Sequence, residues 1–150
     1  MTIKKIQVVP YNPAWPQLFQ GEAASLKQAL GERCISVYHI GSTSVPGLCA
    51  KEDLDILCVV DSLPSSLILQ GVGYVFKGEL NVPLRYFFSK NASISKVNLH
   101  VCEQDHGFIN LNLCFRDYLR THDETRDAYG ALKTTLASDS KTAEKTPAGF

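Results

Sequence analysis

The sequence predicts an α+β domain built on a twisted, mixed and mostly antiparallel β-sheet, with helices packed on one side. Apolar residues recur at helical spacing near the start of the chain and again after residue 107, whereas the stretch between them reads as strands. The predicted strands differ in their pattern of apolar and polar residues. Residues 53–60 form a nearly continuous apolar run, which is typical of a central strand, and residues 96–103 alternate between apolar and polar side chains.

The length and charge of the chain limit both the number of domains and the kinds of partner. With 150 residues, it is expected to form one domain over residues 1–137, followed by a loose tail over 138–150 that is rich in Ser, Thr, Lys and Ala. The formal net charge is 0, so no global field attracts the protein to nucleic acid or to a membrane. Neither a signal peptide nor a membrane-spanning segment is recognisable, so we expect a cytoplasmic protein.

The first half of the chain predicts a helix, two strands and a second, short helix. Asn12 is the expected N-cap of the first helix, Pro13 its first residue and Gly31 its end. A strand follows over residues 34–40, and the continuous apolar run described above is the second strand. Residues 62–70 then form the short helix.

The second half predicts three more strands and two helices. Residues 74–76 and 84–89 read as a strand pair, and the loop KGELNVP between them would overhang the functional site. The alternating strand 96–103 comes next. One helix then begins near Phe108, and Asp123 caps another.

The feature that points to chemistry is a Gly-Ser turn followed by two closely spaced carboxylates. Gly41 and Ser42 end the first strand, and Asp53 and Asp55 begin the next one. Side chains at i and i+2 of a strand share a face, so these carboxylates would repel each other unless a cation lies between them. Mg²⁺ or Mn²⁺ suits such a pair, because it completes its shell with water and phosphate oxygens. Gly41 allows close backbone approach, and Ser42 offers a hydroxyl and an N–H to phosphate.

Longer motifs extend this pattern to most of the chain. The segments VVPYNPAWPQLF, HIGSTSVPGL, LHV and FRDYLRTH resemble those of the GrpB family, from Val8 to about Leu136. The Gly-Ser turn with Asp-x-Asp on the next strand resembles the active-site signature of the DNA-polymerase-β-like nucleotidyltransferases. This resemblance implies the same α+β fold and a metal held by Asp53 and Asp55. Family members often carry an apolar residue at the position of Asp53, so Asp55 carries the firmer inference.

The chain departs from the superfamily pattern where a third carboxylate is usual. On the strand 96–103, the side chain expected at this corner is His100, which shares a strand face with Asn98 and Cys102. A histidine can take a proton from the acceptor or bind the metal, but it adds no negative charge. Glu103 is the acidic alternative, although it faces the other side of the strand unless a bulge intervenes.

Four basic residues are further candidates for nucleotide contacts, and each has a structural alternative. His39 either holds the Gly-Ser loop or touches phosphate, or it is simply a buried, hydrogen-bonded side chain. Lys51 is either a phosphate ligand or a solvated loop residue. Arg85 is either a triphosphate contact or a salt-bridged edge residue. Arg116 would bring positive charge to a nucleotide, unless it pairs with acidic neighbours.

Two functional hypotheses follow from these residues and from the resemblance. The first is an enzyme that transfers a nucleoside monophosphate from a nucleoside triphosphate to an unknown acceptor, which is a small molecule or a macromolecule, with Mg²⁺ as cofactor. The second is a non-catalytic nucleotide- or coenzyme-binding accessory module, similar to the related domain that is fused to dephospho-coenzyme A kinase. The intact Gly-Ser and Asp-x-Asp motifs favour the enzyme, and the absence of a third acid favours the accessory module.

Overall fold

The computed structural model of the protein describes residues 7–92 and 95–138, which form a five-stranded sheet and four helices. The helices are α1 (Trp15–Leu30), α2 (Ser66–Gln70), α3 (Gly107–Thr121) and α4 (Asp123–Ser138). The strands are β1 (Cys34–Ile40), β2 (Asp53–Val60), β3 (Val75–Phe76), β4 (Arg85–Asn91) and β5 (Lys96–Glu103). The predicted bounds of β1, β2 and β5 are confirmed. The predicted tail beyond Ser138 lies outside the described residues.

The sheet is mixed and mostly antiparallel, as the sequence predicts. Its strand order is β1-β2-β5-β4-β3. The β2 and β5 strands run parallel, and the other three pairs are antiparallel. The register places Asp55 beside Ile40 on one side and beside Asn98 on the other. The start of β2 therefore lies in the middle of the sheet, between the end of β1 and the first half of β5.

One face of the sheet carries the main hydrophobic core. Alternate residues of β2 and β5 point to this face and pack against α1 and α2. Trp15, at the start of α1, is only 1% exposed and anchors the helix on the sheet. Burying a side chain of this kind contributes roughly 1.5–3 kcal/mol, so this face accounts for much of the stability. The core residues that β2 and β5 contribute are Leu54, Ile56, Cys58, Val60, Val97, Leu99 and Val101.

The opposite face carries a smaller core beneath α3. Leu57, Val59 and Cys102 are buried there against Phe108 and Ile109. The helices α1 and α2 lie on one side of the sheet, as predicted, whereas α3 covers part of the second face. The reason lies in β2, because its residues beyond Asp55 are apolar at both odd and even positions and thus require burial on both faces.

Two helix starts differ from the prediction, and in each case a local side-chain hydrogen bond accounts for the difference. The N-terminal residue of α1 is Trp15, because the Asn12 side chain accepts a hydrogen bond from the Ala14 N–H and forms a turn before the helix. The α2 helix begins four residues later than expected, since its cap is the hydroxyl of Ser65, which accepts from the Leu67 N–H. Ser62 instead donates its N–H to the Asp61 carboxylate.

Within residues 7–92 and 95–138, the helices are too short or too polar to cross a lipid bilayer.

Candidate functional site

The Gly-Ser turn brings the end of β1 directly against the Asp55 carboxylate. Gly41 has a φ of +72°, a conformation that side-chain-bearing residues rarely adopt. A Cβ atom at this position would lie 2.7 Å from Asp55 Oδ2. Residues Ser42–Ser44 then form a single 3₁₀ turn, which is closed by a hydrogen bond from the Ser44 hydroxyl to the Gly41 carbonyl. Glycine is therefore required at position 41 both by the backbone and by the neighbouring carboxylate.

Asp55 lies at one end of a chain of three polar side chains on the second face of the sheet. His100 Nε2 is 3.3 Å from Asp55 Oδ1, and Arg85 Nη1 is 2.9 Å from His100 Nδ1. Arginine can only donate, so Nδ1 of His100 must accept. The neutral imidazole therefore carries its proton on Nε2, and this N–H donates a hydrogen bond to the Asp55 carboxylate. Both ring nitrogens are engaged, and Asp55 is held in a fixed orientation.

Arg85 connects this chain to the loop that overhangs it. Its Nη2 donates to the carbonyls of Glu79 and Leu80 at 3.0 and 3.3 Å, and its guanidinium lies over the ring of Phe108. Arg85 is 6% exposed, and burial lowers its pKa. Within the described residues, its Nε is buried without a hydrogen-bond acceptor and no carboxylate lies within 4 Å. The interpretation of Arg85 as a salt-bridged edge residue therefore does not match the structure.

A cleft of about 460 Å³ opens above Asp55, His100 and Arg85. The overhanging loop contributes Leu80 to its wall, as the sequence predicts. The α3 helix closes the cleft on its other side. The residues that α3 contributes to the lining are Phe108, Leu111, Asn112 and Phe115. The cleft thus combines a charged floor with largely apolar walls.

Beside this cleft, a cavity of about 10 Å³ lies between the two predicted metal carboxylates and β5. Asp53, Asp55, Asn98 and Lys51 line it. Asn98 Oδ1 is buried and has no hydrogen-bond donor within the described ranges. A volume of this order holds one water molecule or one small ion. A buried oxygen that lacks a donor, next to two carboxylates, fits the all-oxygen ligand set that Mg²⁺ prefers.

These oxygen atoms come from two carboxylates and one amide. Among residues 7–92 and 95–138, no cluster of three or more His, Cys, Asp or Glu side chains could hold a metal ion. Asn98 is therefore the site residue that sequence reasoning missed. The available signal was its position two residues before His100, on the same face of an alternating strand.

The α4 helix supports the Gly-Ser turn from behind. Ser42 is 4% exposed and is hydrogen-bonded to Tyr129 of this helix. Lys133, one turn further along, is fully buried and donates to the Cys49 carbonyl at 3.1 Å. Burial lowers the pKa of Lys133 to about 8, and the nearby Lys51 acts in the same direction. The turn is thus held by groups on α4 as well as by the sheet.

The family assignment follows from comparison with known proteins. A profile of the GrpB protein family matches residues 5–146. The chain belongs to the GrpB family. The crystal structure of the conserved protein GrpB from Enterococcus faecalis is 38% identical, with a TM-score of 0.82 over 88% of this chain and 83% of that chain. The predicted family and α+β fold are thereby confirmed, and a place in the nucleotidyltransferase superfamily is consistent with this fold.

Two further relatives differ in how much of their length the GrpB-family chain covers. The UPF0157 protein YqkA of Bacillus subtilis (strain 168) is 34% identical over 139 residues, which make up 90% of this chain but 40% of YqkA. A dephospho-CoA kinase of Mycolicibacterium paratuberculosis (strain ATCC BAA-968 / K-10) is 39% identical over 64 residues, or 41% of this chain and 16% of the kinase. This chain therefore spans less than half of YqkA, and its similarity to the kinase is partial.

Two of the predicted nucleotide contacts of this GrpB-family protein lie away from the Asp55 cleft. His39 points to the opposite face of the sheet from Asp55, where it stacks on Phe19 of α1 and its Nε2 lies 2.9 Å from Thr43 Oγ1. This contact matches the interpretation that His39 holds the loop. Arg116 lies along the outer edge of β1, where it donates to the His39 carbonyl and pairs with the adjacent Asp117.

Lys51 and Glu103, the remaining candidates, have clear positions. Lys51 lines the small cavity with Asp53 and Asp55, so it is within the site region. Glu103 pairs in register with Val60, at the far end of β2 from the carboxylates, and accepts a hydrogen bond from the Leu63 N–H. The structure therefore brings together Gly41, Asp55, His100 and Arg85, and it removes Glu103 as an alternative to His100.

Replacing His39 by glutamine is expected to reduce the loss of stability on acidification. Burial, assisted by Arg120, lowers the pKa of His39 from 6.5 to about 4. Between these values the unfolded chain binds the proton more readily, so the free energy of unfolding falls as the pH decreases from 6.5 to 4. This contribution is on the order of 1–3 kcal/mol. Urea unfolding across this interval should show a smaller decrease for His39→Gln, and parallel curves for the two proteins would contradict a buried neutral imidazole.

Proposed function

We propose that the Asp55 cleft binds a nucleoside triphosphate and transfers its nucleoside monophosphate to an acceptor hydroxyl or phosphate. The observation that carries this proposal is the Asp55 carboxylate, fixed between the Gly41 backbone and His100 at the floor of a cleft of about 460 Å³. Small-molecule sites typically have volumes of about 300–1,000 Å³ with a few polar groups placed among apolar walls. The cleft has this character and is large enough for a nucleotide.

The residues around the small cavity would hold the divalent cation that such a reaction requires. Asp53 and Asp55 offer carboxylate oxygens, and Asn98 offers an amide oxygen that lacks a donor within the described ranges. When bound, Mg²⁺ or Mn²⁺ would offset the negative charge of the triphosphate and of the departing pyrophosphate. Phosphate oxygens would complete the coordination, in keeping with the preference of Mg²⁺ for substrate phosphates.

Two other side chains would act on the substrate or on Asp55. Arg85 lines the cleft, and its guanidinium, whose buried Nε–H has no acceptor among the described residues, would donate to a phosphate oxygen. His100 would act as a positioning residue, because its two nitrogens are engaged by Arg85 and Asp55. This role differs from the sequence-based hypothesis that His100 takes the proton of the acceptor.

The reaction itself would be an in-line displacement at phosphorus. The acceptor oxygen forms a bond to the α-phosphorus while the bond from that phosphorus to the bridging oxygen breaks, and pyrophosphate leaves with the electron pair. The proton of the acceptor passes to water in the open cleft. Orientation by Gly41, Asp55 and Arg85 would supply most of the catalysis, because positioning and charge stabilisation dominate phosphoryl chemistry.

A second candidate function is favoured by the lack of a third carboxylate in the described part of the site. His100 stands at the corner where the resemblance implies a carboxylate, and neither His100 nor Asn98 is an acid, so the site would bind a nucleotide or coenzyme without turning it over. The partial similarity to a dephospho-CoA kinase supports such an accessory role. Under this alternative, the cleft, the cation site and the contacts of Arg85 remain the same, but no product forms.

An incubation with labelled nucleotides separates the two functions. The protein would be mixed with Mg²⁺, each of the four α-³²P-labelled nucleoside triphosphates and a filtered extract of small metabolites. Nucleotidyl transfer predicts a labelled adduct together with pyrophosphate, and neither should form with Asp55→Asn. Saturable binding without product would favour the accessory module. Failure of all four triphosphates to bind with Mg²⁺ would exclude the proposed transferase.

A further inference from the structure

A second cleft, of about 290 Å³, lies along the outer edge of β1. Its walls come from α1 and the segment before it, from β1, from the loop after Gly41 and from α3. It is separate from the Asp55 cleft, because the two clefts share no lining residue. The polar residues on which the inference depends are Tyr11, Gln20, His39, Ser44, Arg116 and Arg120.

The charged side chains that line this cleft in the described part of the chain are two arginines, Arg116 and Arg120. His39 is neutral at physiological pH, since its pKa is about 4. Burial lowers the pKa of Arg120, and the nearby Arg116 acts in the same direction, whereas Asp117 opposes the shift. Asp117 pairs with Arg116 at 2.8 Å, so within the described residues the charge that has no ion-pair partner within 4 Å is that of Arg120.

Arg120 has the donors that such an anion would use. Its Nε donates to the Ser44 carbonyl at 2.9 Å, which fixes the plane of the guanidinium. In residues 7–92 and 95–138, its two terminal nitrogens have no hydrogen-bond acceptor, and no carboxylate lies within 4 Å of them. Arg116 differs, because it is held by the His39 carbonyl and by Asp117. Arg120 is thus oriented by the protein but has open donor sites.

We propose that this cleft binds the phosphate group of a small phosphate monoester, such as a sugar phosphate. The terminal oxygens of a phosphate match the open donors of Arg120 and the Tyr11 hydroxyl, and its negative charge matches the guanidinium of Arg120. Arginine favours phosphate because its planar fork of N–H groups can bind two oxygens together. The remaining volume, bordered by Gln20 and aromatic side chains, accommodates a small polar organic group.

The proposal is tested by titrating ¹⁵N-labelled protein with glucose 6-phosphate, inorganic phosphate, sulfate and glucose. Glucose 6-phosphate should bind saturably and more tightly than the two inorganic ions, and glucose should not bind. The largest amide shifts should fall on Tyr11, Gln20 and Ser44. Arg120→Gln should weaken binding by tenfold or more. Arg33→Gln, which removes an exposed arginine elsewhere, should leave the affinity unchanged.

Three results would overturn the proposal. Equal affinity for glucose 6-phosphate and sulfate would indicate general anion binding. Amide shifts confined to the Asp55 cleft would place the ligand in that cleft instead. A glucose 6-phosphate titration that does not approach saturation at roughly 20 mM would show that the second cleft has no specific affinity for the phosphate ester. If Arg120→Gln unfolds because the contact with Ser44 is lost, the amide chemical-shift changes of the wild-type protein alone decide where the ligand binds. None of these results depends on nucleotidyl transfer.

Discussion

Replacing Gly41 by alanine is expected to weaken Mg²⁺-dependent nucleotide binding by more than tenfold and to destabilise the fold by roughly 1–3 kcal/mol. Two physical effects combine at this position. The backbone has a φ of +72°, and the new Cβ would lie 2.7 Å from Asp55 Oδ2, so the carboxylate must move. Its displacement would also disturb the hydrogen bond to His100. Calorimetric titration and urea unfolding measure the two effects separately.

Gly31→Ala is the matched control for this variant. Gly31 also has a positive φ, of 59°, but an added Cβ would meet no atom of the described residues within 4 Å. Its substitution should therefore cost stability through the backbone alone and leave nucleotide binding unchanged. Wild-type affinity in Gly41→Ala would show that the contact between the turn and Asp55 does not shape the binding site.

Asp55→Asn should produce the largest loss of binding without a matching loss of stability. Asparagine keeps the shape of the side chain, and its amide oxygen can still accept the hydrogen bond from the His100 Nε2–H. The negative charge is removed, so a cation and its bound triphosphate lose their central ligand. We expect the dissociation constant for a Mg²⁺-nucleotide to rise tenfold or more, a loss of about 1.4 kcal/mol or greater. Isothermal titration at fixed ionic strength measures this change.

Two other substitutions calibrate the effect of Asp55→Asn. Asp53→Asn should cause a smaller loss, because Asp53 lines the small cavity but not the larger cleft. Glu124→Gln removes an exposed acid on α4 and should have no effect. A tenfold loss for Glu124→Gln as well would show that net charge, rather than the site, controls binding.

The strands were predictable because their patterns are local. The continuous run of β2 and the alternation of β5 each encode burial, and the turn residues mark their ends. The contact between Asp55 and His100 was also predictable in outline, since both residues face away from the main core on strands expected in one sheet. Helix starts were less certain, because the Asn12 side chain forms a turn before α1 rather than its cap, and Ser65 rather than Ser62 caps α2.

The rest of the site depends on packing that one sequence does not specify. Asn98 faces Asp55 because β2 and β5 pair in parallel with that register, and strand alternation alone does not give a register. Arg116 lies outside the Asp55 cleft because α3 crosses the second face of the sheet and reaches the edge of β1. The position of α3 in turn follows from the apolar residues on both faces of β2. The sequence alone does not show which helix covers each of these faces.

The central claim, that the Asp55 cleft binds a metal-nucleotide complex, is tested most directly by paramagnetic relaxation. Mn²⁺ broadens NMR signals strongly at short range, so ¹⁵N-labelled protein would be titrated with Mn²⁺ and a nucleoside triphosphate. We predict that the amide signals of Gly41, Asp55 and Asn98 broaden more strongly than that of Val75, which lies three strand spacings from Asp55 in β3, and that the effect is lost in Asp55→Asn. Broadening centred elsewhere, or equal broadening in Asp55→Asn, would contradict the proposed site.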